Sequence, residues 1–475
     1  MRPWLSRTLV VVGAFAACWI GAVWYWRDTR RMPGTDDLVI YLLLLPLLLV
    51  LLWWAGRKLM AAVGAGAAAA ATARSAGAAE PPPTPVIAPV AALTVLAGSL
   101  RLPHGDSAAQ LADALLTRKA NLALDPELLD ESGYPILSGR IDGVDTAELQ
   151  DSMAEWLRAH YPDTELSDEQ WRAVNLGAAV TADLAAELGP HPALPAYLDA
   201  IEAGKPPPPL PALHVVTLLP PEWSDGQRAA ASAWLRGTVA RLGWPQARLA
   251  PPLLGVDGQQ PLPLIDQLAA HTKRDGQPFL CLMVACGSRI GAASVQDWAD
   301  RFILFDSNNP NGRIPGEGAA GLLLADAAQG ALYQRDEAAL MYPSSSAVRA
   351  ASADTKPRGD AGLLAELAAR AIATAGLDAA QVTLLTADSD QRASRMGELL
   401  HMASATLPEL DLGSQVLSVA SACGDAGAVS TVAALVLAQQ QIASGAGPVL
   451  SVSNLDPFHR GAVLLTPQVA APATA

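Results

Sequence analysis

The residues able to do chemistry in this chain are few and scattered. Four cysteines, Cys18, Cys281, Cys286 and Cys423, are the thiol nucleophiles available, and no two form a C-x-x-C pair. A cysteine attacks as its thiolate, which a helix N-terminus or a nearby cation stabilises. Cys423 stands at the start of the apolar run 425–443, which reads as a long helix, but Asp425 beside it opposes the thiolate. Cys286, in Cys286-Gly287-Ser288, ends a strand-like run and reads as a small packed hydrophobe. His459, in DPFHRG, can pair with Asp456, and His401 falls on the spacing of an amphipathic helix. The pattern G-x-G-x-x-G at 316–321 would cradle a dinucleotide phosphate only between a strand and a helix. Here the glycines lead into the apolar run Gly321-Leu322-Leu323-Leu324-Ala325, so no helix N-terminus is offered and no cofactor is expected. Tyr342-Pro343-Ser344-Ser345-Ser346 lacks a nucleophile elbow, and no His/Cys/Asp/Glu group has metal-ligand spacing.

The elements that must position these residues alternate between two periodicities. Strand-like LHVVTLL, FLCLMVAC and GLLLA are interleaved with helical DGQRAAASAWLRGTVARL and PLIDQLAAHTK. The last third repeats this grammar with helices GLLAELAARAIATAGL, DQRASRMGELLHMASA and DAGAVSTVAALVLAQQQIA, and strands QVTLLTA, QVLSVAS, PVLSVSN and GAVLLTP. Each half closes with two strands joined without a helix, and a small-residue step, GEGAAGLLLAD or HRGAVLLTP, leads into the last one. Two such halves predict a duplicated α/β unit with mixed sheets between helical layers.

Upstream, residues 8–26 and 38–55 are uncharged, mostly apolar runs of bilayer-spanning length with tryptophans at their ends. They predict a two-helix transmembrane hairpin within residues 1–63. Arg2, Arg7, Arg57, Lys58 and Arg74 outweigh the three connector arginines and point both termini to the cytoplasm. A cleaved signal ending at Cys18 is the rival reading, opposed by the apolar WIGAVWYW that follows. The Ala/Pro-rich stretch 64–85 reads as a tether. Residues 86–211 form an N-terminal α/β part with a helical insertion, and a proline tract at 204–211 separates it from 212–475. A net charge of −14 without a basic block excludes a nucleic-acid partner, and the scattered cysteines exclude a disulfide framework.

The phrase FDSNNPNGRIPGEGAAGLLLAD resembles the β-ketoacyl synthase segment F-D-x-x-x-x-G-x-x-P-G-E-G-A. AIATAGLDAAQVTLLTA, GDAGAVSTVAALVLA and SNLDPFHRGAVLL resemble later steps of that family, so the likeness spans about 213–467. It implies a duplicated thiolase-like α/β/α/β/α domain. It also implies where a nucleophilic cysteine and two histidines would stand. GVDGQQPLPLIDQL holds no cysteine, TADSDQR follows the strand where the first histidine is due, and Gly424-Asp425 replaces the second. The resemblance therefore implies a degenerate site, with Cys423, Asp425 and His459 as residues of a vestigial pocket. The membrane hairpin, the tether and the phrases RLPHG and LDESGYPIL resemble the lipase-adaptor family of bacterial type VI secretion. That resemblance implies a non-catalytic inner-membrane adaptor. It would bind a phospholipase effector in the cytoplasm through the region 100–201 and pass it to the secreted spike. The alternative is a membrane-tethered ketosynthase-like enzyme acting on acyl thioesters. Self-association stays open.

Overall fold

The computed structural model describes residues 92–130, 132–252, 260–335, 338–355 and 361–468. Both expected membrane runs and the tether lie outside the described residues. Among the described residues no helix is long and apolar enough to cross a membrane.

Ten strands form one mixed sheet: β1 (Leu93–Arg101), β4 (Leu213–Leu218), β5 (Leu280–Ser288), β6 (Glu317–Ala325), β7 (Ala339–Met341), β8 (Ser345–Val348), β9 (Leu384–Ala387), β10 (Val416–Ser418), β11 (Val449–Ser453) and β12 (His459–Pro467). Their order is β10-β9-β11-β12-β7-β1-β6-β5-β4, with β8 laid on β12. The expected pair of sheets is thus one continuous ladder, because the three-residue β7 pairs with β12 on one side and β1 on the other. β1 comes from the segment before the second proline tract, yet sits between β6 and β7 from beyond it. β2 (Ala123–Leu129) and β3 (Pro135–Ser138) form a separate hairpin.

Twelve α-helices flank these strands among the described residues. Residues 167–186 and 224–241 begin with Ser-x-x-Gln capping boxes, which start α3 (Asp168–Ala186) and α5 (Asp225–Arg241). The two boxes are tied together, since Gln170 Nε2 donates to Gln227 Oε1 at 3.0 Å. α1 (Ala108–Leu116), α2 (Ala147–His160) and α4 (Ala193–Glu202) complete the first part, followed by α6 (Pro261–Arg274). α7 (Ala292–Asp300) joins β5 to β6, a connection expected to lack a helix. Val295 and Trp298, three residues apart, are its buried stripe. α8 (Ala327–Leu332), α9 (Gly362–Thr374), α10 (Ala393–Thr406), α11 (Ala420–Cys423) and α12 (Ala428–Ala443) follow.

Strand alternation divides the core into layers. Cys281, Met283 and Ala285 of β5 face a central cluster, together with Ala320, Leu322 and Leu324 of β6 and Val463 and Leu465 of β12. Leu280, Leu282 and Val284 face an outer cluster under α3 and α5, and Leu450, Val452, Ala462 and Leu464 face another under α9 and α10. Helix α12 fills the centre, with twelve of its sixteen residues buried against strands of both halves. An apolar helix of this kind cannot be a surface helix. Helices thus cover the outer faces of the sheet, and α12 packs between its two halves.

The halves differ at one edge. In the second half β10 pairs with β9 over three residues. Beyond β4 in the first half, the corresponding place holds a single bridge between Leu213 and Leu249. After Ala250 the chain runs Pro251-Pro252, and prolines cannot donate to a ladder. At the other side, β7 is flanked by Leu93 to Val95 of β1 and by Leu465 to Pro467 of β12, so the first and last described strands meet there.

Candidate functional site

A cavity of about 190 Å³ opens where β4, β5 and β9 end, beside the starts of α6 and α12. Carboxyl ends of parallel strands are where open α/β sheets place ligands. Arg289, Arg313, Asp388, Asp425, Asp456, Gln260 and Thr431 supply its polar lining.

Asp388 follows β9 directly and is buried, in the stretch where the family resemblance implied a histidine. It accepts from Thr431 Oγ1 at 2.8 Å, Ser453 Oγ at 2.5 Å, Asn454 N–H at 2.7 Å and Leu455 N–H at 3.0 Å. Burial pushes its carboxyl up against these four donors. Asp425 lies in the turn before α12. Its carboxylate sits 2.8 Å from Arg289 Nη1 and 3.5 Å from Arg313 Nη1, and accepts the Gly427 N–H at 2.9 Å. Burial alone would raise this group, but Arg289 and Arg313 outweigh it and hold it below the usual carboxylate range. Every charge-bearing oxygen here is committed to a donor.

Cys423 does not start the long helix, contrary to its reading in the sequence. It ends the four-residue α11, and Gly424 and Gly427, both at positive φ, turn the chain before α12 begins at Ala428. A helix C-terminus disfavours a thiolate. Cys423 is 1 % exposed, its Sγ donates to Pro103 O at 3.4 Å, and burial pushes the thiol up to about 12. Cys286 is buried in the outer cluster of β5, and burial likewise pushes its thiol and that of Cys281 up to about 12. His459 starts β12, with Nδ1 3.2 Å from Asp456 Oδ1. It borders a second, more apolar cavity of about 260 Å³ beside Pro261, Leu262 and Val348. His401 is exposed on α10. The structure thus gathers Asp425 with Asp388, the two arginines and the buried Cys286, and leaves Cys423 and His459 outside that cavity.

The glycine ramp has a structural explanation. Residues 139, 315–317 and 423–425 run side by side: Gly139 N–H donates to Pro315 O at 2.8 Å, Glu317 N–H to Gly139 O at 3.1 Å, and Asp425 N–H to Ile314 O at 2.8 Å. A Cβ on Gly316 would lie 2.5 Å from Cys423 O, and one on Gly139 only 1.8 Å from the same oxygen. Glu317 is buried and takes Arg172 Nη2 at 2.5 Å and the Ile141 N–H at 2.8 Å. It is a tie between β6 and α3, not a cofactor ligand.

Beside the cavity lies an ionic web that hydropathy reading missed. Arg460 and Arg349 both meet Glu398 at 2.9 Å, Arg392 meets Asp390 at 2.6 Å, and Arg395 meets Asp354 at 2.7 Å. Arg395 and Glu398 are fully buried on the inward face of α10, one turn apart. The run TADSDQRASRMGE shows the spacing, but only tertiary structure brings Arg460 to it. Among the described residues no group of three or more His, Cys, Asp or Glu gathers to hold a metal.

No family model matches this sequence, and no curated protein does. Solved structures match it by fold. The ishigamide ketosynthase/chain length factor superposes with a TM-score of 0.52 at 16% identity, covering 79% of this chain and 100% of that one. The oxazolomycin ketosynthase domain KS7 of Streptomyces albus JA3453 gives 0.52 at 13%, covering 81% and 75%. The ketosynthase from module 6 of the bacillaene synthase of Bacillus subtilis 168 gives 0.53 at 13%, covering 80% and 72%. At such identity the likeness shows the fold alone, and that fold is thiolase-like.

Proposed function

We propose that the protein is a thiolase-like pseudoenzyme that works by binding another protein. The observation that supports this reading is that the carboxylates in the segments where the resemblance implied reactive groups are tied up by donors. Asp388 and Asp425 occupy the segments where the resemblance implied histidines, and both are saturated by donors or arginines. The segment before α6 contains no cysteine, and a thiol pushed up to about 12 is thiolate in about one molecule in 10⁵ near neutral pH. Carbon-carbon condensation on this fold needs a thiolate and donors for the developing oxyanion.

The sequence-level resemblance supplies the finer form of the proposal. The protein is an inner-membrane adaptor that binds a type VI secretion phospholipase effector in the cytoplasm and passes it to the secreted spike. The apolar runs 8–26 and 38–55 support the anchoring. The test pairs two measurements on the full-length protein in detergent. Labelled malonyl and acyl carrier thioesters should give neither condensation product nor acylated protein, and a lipase effector should co-purify from the protein's own cells. Turnover above the blank, or acyl carrier protein in place of the lipase, would return the chain to the enzyme reading.

A further inference from the structure

We infer that the seat filled by the Asp354 carboxylate is a binding site for a dianion of the phosphate class, which displaces Asp354 and takes its place among Arg313, Arg392 and Arg395. The inference stands on the ionic web and is independent of the binding reading above.

Three arginines share this one carboxylate. Arg392 Nη1 lies 2.8 Å and Arg395 Nη2 2.7 Å from the same oxygen, Oδ1, and Arg313 Nη2 lies 3.9 Å from the other. Arg395 meets no second carboxylate among the described residues; its Nε donates to Leu455 O at 3.0 Å and its Nη1 to Ser394 Oγ at 3.0 Å. Arg392 also holds Asp390 at 2.6 Å. Arg313 reaches Asp425 only at 3.5 Å, while Arg289 holds that carboxylate at 2.8 Å, and among the described residues the Arg313 guanidinium donates no hydrogen bond. Burial, with Arg392 and Arg460 nearby, pulls Arg395 down to about 10. The seat is short of both negative charge and acceptor oxygens.

The arginines are fixed and the carboxylate is the part that can leave. Arg392 caps α10 and Arg395 lies in its first turn, so the helix N-terminus adds to the positive field. The Arg313 backbone is pinned on both sides, its N–H donating to Ile303 O at 2.6 Å and its carbonyl accepting the Phe305 N–H at 2.8 Å. Gln391 Nε2 donates to Gly312 O at 3.1 Å and joins the two segments. The side chains of Arg392 and Arg395 are 4 % and 0 % exposed, whereas that of Asp354 is 39 % exposed, so the seat opens to solvent on its side. The turn carrying Asp354 is held without its carboxylate: the Ala353 N–H donates to Pro457 O at 2.8 Å and the Asp354 N–H to Ser352 Oγ at 3.1 Å. Rotation of one side chain therefore empties the seat. A carboxylate sets two oxygens against three guanidinium groups, while a tetrahedral dianion brings more oxygens and a second charge, the match that arginine forks favour.

The experiment is isothermal titration calorimetry of inorganic phosphate and of O-phosphoserine into the full-length protein in detergent, with sodium chloride at equal ionic strength as the blank. Saturable binding of at least one of the two is expected. Because the internal carboxylate competes for the seat, Asp354→Ala should bind about tenfold or more tightly. Arg313→Gln should bind about tenfold or more weakly. Arg301→Gln, which removes an exposed pair with Asp297 on α7, should leave binding unchanged. Asp354 and Arg313 both reach solvent, and matching circular dichroism establishes that the variants fold. Tighter binding of O-phosphoserine identifies an ester as the occupant, and equal or tighter binding of phosphate identifies the free ion. No saturable binding by the wild-type protein, equal affinity in Asp354→Ala, or undiminished affinity in Arg313→Gln would overturn the inference.

Discussion

Asp425→Asn removes one negative charge from the most enclosed ion pair of the cavity while keeping its shape. The carboxylate is 3 % exposed and faces Arg289 at 2.8 Å and Arg313 at 3.5 Å. Stripping one partner from a buried pair costs about 3–5 kcal/mol, because the other charge is left uncompensated. Arg289 keeps Glu222 at 2.7 Å, and Arg313 is partly in water, so the loss here is set at about 2–3 kcal/mol. In a domain of this size, at about 2.1 cal/mol/K of unfolding entropy per residue, that lowers the unfolding midpoint by about 3–4 °C. The pH dependence supplies an internal check. A carboxylate held below its usual range lends stability that is complete above the unfolded value of about 3.9, and that stability is lost as pH falls through the folded value. Thermal unfolding of both proteins from about pH 7 down to about pH 3 should show a gap that is constant to about pH 4 and narrows below it. A gap below about 1 kcal/mol, or one that persists unchanged into acid, would refute the claim that the arginines govern this group.

Iodoacetamide should leave Cys281, Cys286 and Cys423 unlabelled in the folded protein and label all three in denaturant, since burial pushes each thiol up to about 12. Peptide mass spectrometry that finds folded Cys423 alkylated would reopen the nucleophile question. Gly139→Ala should abolish soluble folded protein or cost more than about 4 kcal/mol, because its methyl would lie 1.8 Å from the Cys423 carbonyl. Gly133→Ala, at φ +81 with open space around it, should cost only about 1–2 kcal/mol by denaturant titration. His191 is buried; its Nδ1 accepts the Ala193 N–H at 3.2 Å, and its Nε2 lies 3.2 Å from Gln329 Oε1. Burial holds its pKa down, so it lends stability that is present above the unfolded value of about 6.5 and lost as pH falls. His191→Asn should therefore flatten the stability profile between about pH 5 and pH 7, and an unchanged slope would place the acid sensitivity elsewhere.

Much of this architecture was legible where local chemistry and burial agree. Ser167 with Gln170 and Ser224 with Gln227 announce helix starts, and the unbroken apolar run Leu280 to Cys286 announces a strand facing apolar layers on both sides. The misplaced order of Gly316, Gly318 and Gly321 argued against a phosphate cradle, and the three glycines lead into and lie within β6. What escaped is structure made by tertiary contact. β7 and β8 are three and four residues long, too short for periodicity, and β2 carries Pro126 among polar residues. Cys423 was misplaced because Gly424 and Gly427 lie within an apolar run, and only their positive φ shows that the chain turns there. The ionic web escaped because arginine and glutamate read as surface residues until Arg460 and Glu398 are seen to neutralise each other in the interior.

The position of β7 between the first and last described strands has a mechanical meaning. Tension applied through residue 92 and residue 468 enters at Leu93 and Pro467, both paired with the same three-residue strand. The load path is therefore two neighbouring ladders about 10 Å across. β9 and β5, whose opposite ends carry the cavity, pair with none of β1, β7 and β12. The short ladders are loaded in shear, while the far end of the sheet stays outside the stressed region, so the binding features can keep their geometry while the chain is pulled or held by its ends.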